Sequence, residues 1–154
     1  MSRTYTGGCA CGAIRYDVSG DPIVMVDCQC RQCQRASGVG HTSNMTFRAA
    51  EVKLTGDAST WETTGDGGTT KSSGFCPTCG SPVYMTFPDM PDIFIVRPAS
   101  LDDPASYRPN IVTWTAAAQP WDRVDPALPT WRTAETNWTL QRMTAGITAR
   151  AWKC

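Results

Sequence analysis

The amino-acid sequence predicts a small, mainly β domain of short antiparallel strands, with little helix and with zinc as part of its framework. Three observations carry this prediction. Short stretches rich in Val, Ile, Thr, Tyr and Phe recur along the chain between turn residues, as is typical of strands. Eleven prolines and thirteen glycines among 154 residues leave little room for long helices. Seven of the eight cysteines fall into three tight clusters, and such spacing is typical of metal sites.

The strands follow one another in chain order, and each has the length usual for a strand in a globular domain. Turn residues such as Ser19-Gly20-Asp21-Pro22 and Gly65-Asp66-Gly67-Gly68 separate them. The predicted strands are Ala13–Val18, Ile23–Asp27, Gly40–Phe47, Val52–Thr55, Thr60–Thr63, Thr69–Phe75, Pro82–Phe87, Ile93–Arg97 and Asn110–Thr115.

Helix is expected in only one place inside the domain. Arg31–Ser37 is the candidate, and Gly38 follows it in the role of a left-handed residue that ends the helix. The pattern loosens from Pro120 onward, where aromatic residues are scattered among polar ones. Ala134–Arg142 is a weaker helix candidate because its apolar face is thin.

The charge balance excludes several classes of function. The chain carries 14 Lys and Arg against 14 Asp and Glu, for a formal net charge of +0. A nucleic-acid-binding protein is expected to carry a basic patch, and a membrane-surface protein a polybasic segment. We therefore expect no nucleic-acid partner and no membrane partner, and a small-molecule ligand is the simpler expectation.

The cysteine pattern also bears on the compartment. No signal peptide precedes the first cysteine pair, and no apolar run has the length needed to span a bilayer. We therefore expect a cytoplasmic protein, in which clustered cysteines stay reduced and bind metal. The alternative is that the paired cysteines form two unrelated disulfides.

Two cysteine pairs together predict one closed metal site. Cys9-Ala10-Cys11 and Cys76-Pro77-Thr78-Cys79 stand beside glycines, which permit the tight turn that points two thiolates at one ion. Four thiolates complete the tetrahedral shell of a structural zinc. The binding energy of such a zinc exceeds the net stability of a small domain, so its loss should unfold the chain.

The third cluster predicts a different kind of zinc site. Cys28, Cys30 and Cys33 supply only three ligands, and a zinc with a vacant fourth position can bind and activate a substrate. Arg31 and Arg35 flank the cluster, where a guanidinium can offset thiolate charge or bind a ligand carboxylate.

A second structural zinc is the alternative for this cluster. It requires a fourth protein ligand, for which His41, Asp27 and Cys154 are the candidates. His41 is the only histidine of the chain. A lone histidine in a strand is more often a hydrogen-bonded polar group than a ligand or a catalytic base.

At these residues the chain resembles the GFA family, named for glutathione-dependent formaldehyde-activating enzymes. Three segments resemble the family's opening cysteine turn, its central C-x-C-x-x-C segment and its closing cysteine turn, and a looser pattern resembles its C-terminal part. The segments are Gly7–Tyr16, Asp27–Gly38 and Phe75–Pro82, and the looser pattern is Ser100–Pro104, Trp121 and Leu128-Pro129.

The resemblance implies a β-rich, tent-like fold with two zinc ions per chain, one structural and one catalytic. It assigns residues 1–131 to a GFA-like zinc domain. Residues 132–154 match no pattern of the family, and their scattered tryptophans predict a C-terminal extension of unknown role that packs on the same domain. The structural ligands would be Cys9, Cys11, Cys76 and Cys79, and the catalytic ligands Cys28, Cys30 and Cys33.

Two positions depart from the family pattern. Gln29 stands where many relatives have histidine within the central C-x-C, and Asn110-Ile111 stands where a histidine is common before the late strand. Both departures concern the substrate more than the fold.

The resemblance also implies an activity. It predicts a zinc-dependent carbon–sulfur lyase or synthase that joins a glutathione-like thiol to a formaldehyde-like aldehyde, with Arg31 or Arg35 orienting a carboxylate of the thiol. Two alternatives stand beside it. The same scaffold can act on a different thiol, aldehyde or imine, or the domain can be a non-catalytic zinc-binding module for a protein partner.

Overall fold

The computed structural model describes residues 3–66 and 68–133. The chain forms short strands joined by turns, with one two-turn helix, α1 (Arg31–Ser37), among the described residues. The strands are β1 (Thr4–Gly8), β2 (Arg15–Ser19), β3 (Val24–Cys28), β4 (Thr42–Arg48), β5 (Val52–Thr55), β6 (Ser59–Thr64), β7 (Thr70–Phe75), β8 (Pro82–Thr86), β9 (Ile93–Val96), β10 (Ile111–Thr113) and β11 (Thr130–Trp131). Single 3₁₀ turns occupy Ala49–Glu51, Pro98–Ser100, Pro104–Ser106 and Thr115–Ala117.

A small antiparallel sheet carries the first cysteine pair. Its order is β1-β2-β5, and its strands alternate between buried and exposed residues, as expected of a sheet with one face on the core. In β2, Tyr16 and Val18 are buried while Arg15 and Asp17 are exposed. Tyr5 pairs with Val18 across the β1–β2 ladder, so both strands press the same face onto the core.

A large mixed sheet carries the other cysteines. Its order is β11-β10-β3-β4-β9-β8-β7-β6. All four residues of β9 are buried, because β9 lies in the middle of the sheet with β4 and β8 as neighbours. β10 pairs in parallel with β3 and with β11, and these parallel pairs make the sheet mixed.

The main hydrophobic core lies between the two sheets. Its largest fully buried side chains include Tyr16, Phe47 and Ile14. Tyr5 and Phe47 contact each other with ring centroids 5.4 Å apart. A second, smaller cluster of buried residues contains Phe87 and lies against β8 and β9.

The predicted fold class is confirmed, and the nine predicted strands all occur with ends shifted by at most two residues. Helix α1 has the predicted bounds, and Gly38 after it has the left-handed conformation, with φ of 77°. β1 and β11 were not predicted. β1 ends in Gly7 and Gly8, which have low strand propensity, and β11 has only two residues.

Two predictions about helices remain. In the described part of the chain, no helix has the length and apolar character that crossing a bilayer requires. The predicted helix Ala134–Arg142 lies outside the described residues.

Candidate metal centres and the cavity beside them

The four-cysteine cluster lies where the two sheets meet. Cys9 and Cys11 follow β1 in the small sheet, and Cys76 and Cys79 follow β7 in the large sheet. All four sulfurs lie within 4.8 Å of one another. Cys9 Sγ is 3.5 Å from Cys11 Sγ, and Cys11 Sγ is 3.7 Å from Cys76 Sγ.

These separations fit a zinc ion. With Zn–S bonds of about 2.3 Å, the sulfurs of a tetrahedral site lie about 3.8 Å apart. The donor set is also suitable, since four soft thiolates select zinc over the hard cations that prefer oxygen ligands. The residues present therefore fit the structural zinc that the sequence predicts.

Each cysteine pair is held by a tight turn with its own hydrogen bonds. The Cys9 N–H donates to Ile14 O at 3.0 Å, and the Ile14 N–H approaches Cys9 Sγ at 3.2 Å. The Cys76 N–H donates to Ser81 O at 3.0 Å, and Ser81 Oγ lies 3.2 Å from Cys79 Sγ. Each turn thus aims backbone or hydroxyl donors at sulfur, which suits a thiolate acceptor.

The four thiols affect one another's ionisation. Hydrogen bonds from the Ser81 hydroxyl, and then from the Ser81 and Cys11 backbone N–H groups, lower the pKa of Cys79 to about 5. At Cys11 the Ala13 N–H favours the thiolate, but hydrogen bonds with Cys9 and Cys76 outweigh it and raise the pKa to about 11. Four negative charges in so small a space repel one another, and a divalent cation relieves that repulsion.

The three-cysteine cluster is built from one short segment. Cys28 is the last residue of β3, Cys30 precedes α1 as its N-cap, and Cys33 lies in the first turn of α1. Their sulfurs all lie within 4.8 Å of one another, and the Cys33 N–H donates to Cys30 Sγ at 3.4 Å. Three thiolates in this arrangement also fit a zinc ion.

Hydrogen bonds from neighbouring elements fix this segment. The buried Gln34 amide donates to Gln29 O at 2.7 Å and to Ala117 O at 2.8 Å. The Thr42 hydroxyl of β4 donates to Cys33 O at 2.7 Å. The turn before α1 and the first turn of α1 are therefore held against the sheet, so the three sulfurs have rigid support.

The side chains proposed as a fourth ligand have other partners. His41 Nδ1 lies 2.9 Å from Asp122 Oδ2, and His41 Nε2 lies 3.9 Å from Asp27 Oδ1. Asp27 accepts hydrogen bonds from Ser43 Oγ at 2.7 Å and from Tyr107 OH at 2.9 Å. Across residues 3–66 and 68–133, no fourth His, Cys, Asp or Glu ligand atom groups with the three sulfurs.

Cys154, the remaining candidate for the fourth ligand, lies outside the described residues. The histidine prediction agrees with the structure in one respect, since His41 is hydrogen-bonded to a carboxylate.

Sequence reasoning missed two buried cations beside this cluster. Arg97 is 8% exposed and follows β9, and its guanidinium donates to Asn44 Oδ1. Burial lowers the pKa of Arg97, and the nearby Cys33 and Cys28 sulfurs oppose that shift. Lys71 of β7 is 6% exposed, and its Nζ lies 3.1 Å from Gln32 Oε1. Both residues lay in predicted strands, Ile93–Arg97 and Thr69–Phe75, but nothing in the sequence marked them as buried or close to the cluster.

The predicted arginines lie at the surface of helix α1. Arg31 and Arg35 are both exposed, and the Arg31 guanidinium donates to Gln34 Oε1. Both arginines line a cavity of about 410 Å³ that reaches Cys30, together with Gln32, Asp66, Trp114 and Ala117. An anionic group that enters this cavity therefore meets two guanidinium groups close to the cluster.

Trp114 introduces backbone strain at the same cavity. Its φ of 61° and ψ of 38° place it in the left-handed region, which is costly for a residue other than glycine. Trp114 directly follows β10, whose Thr113 O accepts a hydrogen bond from the Gln29 N–H at 2.9 Å. Such strain is concentrated at functional sites in proteins, and this residue lines the cavity at Cys30.

Comparisons with known proteins agree with this architecture. Residues 4–117 match the family model described as "Glutathione-dependent formaldehyde-activating enzyme". The fold is similar to that of a Rhodobacter sphaeroides protein of known crystal structure, with a TM-score of 0.51, 18% sequence identity, and coverage of 82% of this chain and 98% of that chain. At that identity the similarity concerns the fold alone. No protein of curated function matches the chain significantly.

Proposed function

The chain belongs to the family of glutathione-dependent formaldehyde-activating enzymes, and we propose that it joins a thiol to a small aldehyde at the three-cysteine cluster. One observation carries this proposal. Cys28, Cys30 and Cys33 bring three sulfurs within 4.8 Å of one another, and among the described residues no fourth ligand atom joins them. Cys30 also lines a cavity of about 410 Å³ in which reactants can be held.

The two clusters would each hold one zinc ion, with different consequences. Cys9, Cys11, Cys76 and Cys79 supply a complete tetrahedral shell, which suits a structural ion. Cys28, Cys30 and Cys33 supply three ligands. A zinc ion held there would favour the reactive thiolate form of a substrate thiol at neutral pH.

The residues around the cluster bind and orient the reactants. Arg31 and Arg35 are suited to bind a carboxylate of the thiol substrate, because both line the cavity that reaches Cys30. Holding the thiol and the aldehyde together in one cavity contributes several kcal/mol, on the order of what proximity supplies in general.

The chemical step itself is balanced without an additional reactant. The thiol sulfur forms a bond to the carbonyl carbon, the carbonyl π bond breaks, and its oxygen becomes a hydroxyl. The sulfur loses one proton and the oxygen gains one, so the step neither releases nor consumes a proton overall. The reverse reaction breaks the same carbon–sulfur bond, and it gives the lyase activity.

Arg97 supports this role for the cluster. Three thiolates and one Zn²⁺ carry a net charge of about −1, by the charges of the ligands. A buried guanidinium close to Cys28 and Cys33 offsets that charge. Arg97 is therefore suited to balance the charge of a metal-loaded cluster.

Paired serine variants test the proposal. Cys30→Ser should keep the fold and one zinc per chain, yet lose turnover of a glutathione and formaldehyde mixture by at least about 100-fold, because a ligand of the reacting site is gone. Cys154→Ser is the matched control and should keep both zinc ions and full turnover. Metal content and rate, corrected for the uncatalysed addition, give the readout.

Two outcomes would count against the proposal. Full turnover by Cys30→Ser would remove this cluster from the reaction. Loss of zinc from the Cys154→Ser variant would instead make Cys154 the fourth ligand and favour a second structural ion. A panel of thiols, aldehydes and imines on the wild-type protein then distinguishes glutathione chemistry from another substrate on the same scaffold.

A further inference from the structure

A second cavity, of about 550 Å³, is lined by residues that neighbour both cysteine clusters in the sequence. Gln32 and Arg35 of α1 form one side of it, on the helix that carries Cys33. Phe75 and Gly80 form another side and directly flank the Cys76–Cys79 segment. No cysteine is among the described residues that line this cavity, so a ligand there leaves the sulfurs of both clusters in place.

This cavity adjoins the smaller one that reaches Cys30. Gln32 and Arg35 line both cavities, so one helix surface borders the two spaces. A substrate whose reacting end lies at Cys30 can extend past Arg35 into the larger cavity. The aldehyde of the proposed function is small, so the larger space is better suited to the thiol reactant.

Aromatic side chains form much of the wall of the larger cavity. Trp61, Phe75 and Tyr84 all line it. Trp61 is on the edge strand β6 and is 66% exposed, which is unusual for so large an apolar side chain. A flat, accessible indole beside a cavity offers a surface on which an aromatic ring can stack.

Tyr84 is held in place as part of this wall. Its ring stacks on Phe94 with centroids 5.0 Å apart and an interplanar angle of 28°. The ring also lies close over Gly74 of β7, where an added Cβ would come within 2.3 Å of it. The absence of a side chain at Gly74 thus lets the tyrosine ring lie against the strand.

The charge of the lining points to an anionic ligand. Arg35 and Arg97 both line the larger cavity, and none of the described residues around it is acidic. Arg97 is buried and donates to Asn44, whereas Arg35 is exposed. Arg35 is therefore the guanidinium best placed to pair with a carboxylate of an incoming ligand.

Resting on the thiol–aldehyde function proposed above, we propose that the thiol substrate is an aromatic carboxylate, with its ring against Trp61 and its carboxylate on Arg35. The sulfur of such a thiol reaches the three-cysteine cluster while the ring occupies the larger cavity. The reaction is unchanged: one carbon–sulfur bond forms, and the proton lost by the sulfur balances the one gained by the carbonyl oxygen.

Equilibrium binding tests, independently of turnover, whether the cavity prefers an aromatic ring and whether it prefers a carboxylate. The probes are 2-naphthoate, its saturated counterpart decahydro-2-naphthoate, and the uncharged 2-naphthamide, each titrated into the metal-loaded full chain by calorimetry. We expect 2-naphthoate to bind about fivefold more tightly than the saturated acid, as expected for a favourable ring contact. We expect a similar preference over the amide because of Arg35.

Matched variants assign these preferences to residues. Trp61→Ala should abolish the preference for the unsaturated ring. Trp121→Ala is the control, because Trp121 is 65% exposed and lines neither cavity. Arg35→Gln should reduce the preference for the carboxylate over the amide to about onefold, and it should leave the preference for the unsaturated ring in place.

The outcomes separate this inference from the proposed function. Equal binding of the two acids, identical behaviour of Trp61→Ala and Trp121→Ala, or no binding of 2-naphthoate would overturn the aromatic assignment. A retained ring preference in a protein that fails to join any thiol to formaldehyde would instead overturn the reaction and leave the cavity's selectivity standing. In the joining reaction, 2-mercapto-3-phenylpropanoate, whose carboxylate lies between its sulfur and its ring, should exceed its saturated counterpart 3-cyclohexyl-2-mercaptopropanoate in kcat/KM by about fivefold.

Discussion

The two cysteine clusters use the same ligand atom but are built in opposite ways. The four-cysteine cluster joins two sheets, and Cys11 and Cys76 within it are 65 residues apart in the chain. The three-cysteine cluster comes from a single strand end and the helix turn that follows it. A metal in the first cluster closes a long loop, whereas a metal in the second closes almost none. We therefore expect a metal in the first cluster to stabilise the fold, and a metal in the second to be exchanged without unfolding it.

The groups around the two clusters also differ, in charge and in access to a cavity. The four-cysteine cluster is met by neutral donors, such as the Ile14 N–H and the Ser81 hydroxyl. The three-cysteine cluster has the buried guanidinium of Arg97 nearby, and Cys30 lines a cavity. Neutral donors are sufficient for a site that only holds its ion. A fixed cation and an open side suit a site at which charge and ligands change during a reaction.

The largest expected effect is on folding. Cys76→Ser should remove the structural ion, whose binding contributes on the order of 10 kcal/mol, so the chain should be unfolded at room temperature. Cys33→Ser should change the free energy of unfolding by only about 1 kcal/mol, because its segment is held by Gln34 and Thr42 as well as by metal. Circular dichroism and zinc content measure both. Similar destabilisation by the two variants would erase the proposed difference between the clusters.

Removal of the buried cation should have the next largest effect. Arg97→Met leaves Asn44 Oδ1 without its charged donor in a buried site and should lower the free energy of unfolding by about 3 kcal/mol. Arg15→Gln is the control, because Arg15 pairs with Asp102 in an exposed ion pair that contributes less than about 1 kcal/mol. Urea denaturation compares them. Equal, small losses would mean that Arg97 has no special role at the three-cysteine cluster.

The contrast between the clusters also explains what the sequence could reveal. The cysteine pairs and the Cys28–Cys33 group were predictable because C-x-C and C-x-x-C spacings act locally, and α1 was predictable from Gly38. The joining of the two distant pairs into one group was predicted from ligand count, since two pairs complete one tetrahedral shell. Their roles as metal ligands stay predictions. Arg97 could not be placed, since its position beside Cys28 and Cys33 depends on β9 pairing with β4 and on β4 pairing with β3. Long-range pairing of this kind leaves no mark on local residue spacing.

Other features of the two cavities and the large sheet also depend on long-range strand pairing, which the sequence does not reveal. Trp61 was expected only as a strand residue, and its place at a cavity depends on which strand forms the edge of the sheet. Parallel pairing of β10 with β3 likewise required the whole topology. Arg31 and Arg35 were found because they share a helix with Cys33, so their proximity to the cluster follows from sequence distance alone.

The smallest expected effect concerns the support behind the three-cysteine cluster. Asp122 accepts from Gln29 Nε2 at 3.2 Å and contacts His41 Nδ1 at 2.9 Å. Gln29 stands between Cys28 and Cys30, so Asp122 helps to fix the turn that presents their sulfurs. Groups that orient metal ligands in this way typically contribute 10- to 100-fold in metal affinity. Asp122→Asn should therefore release zinc from this cluster about tenfold faster to a chromogenic chelator, while the four-cysteine site keeps its ion.

Asp102→Asn is the matched control for that experiment, because the exposed Asp102 carboxylate pairs with Arg15 and accepts from Thr6, and neither of these partners is near Gln29 or His41 in the sequence. Asp102→Asn should leave zinc release unchanged in both phases, the fast phase from the three-cysteine cluster and the slow phase from the four-cysteine cluster. If Asp122→Asn also leaves the fast phase unchanged, the cluster owes its geometry to the Gln34 and Thr42 hydrogen bonds alone. If both phases accelerate together, the two clusters are not independent, and the separation of a folding site from a reacting site fails.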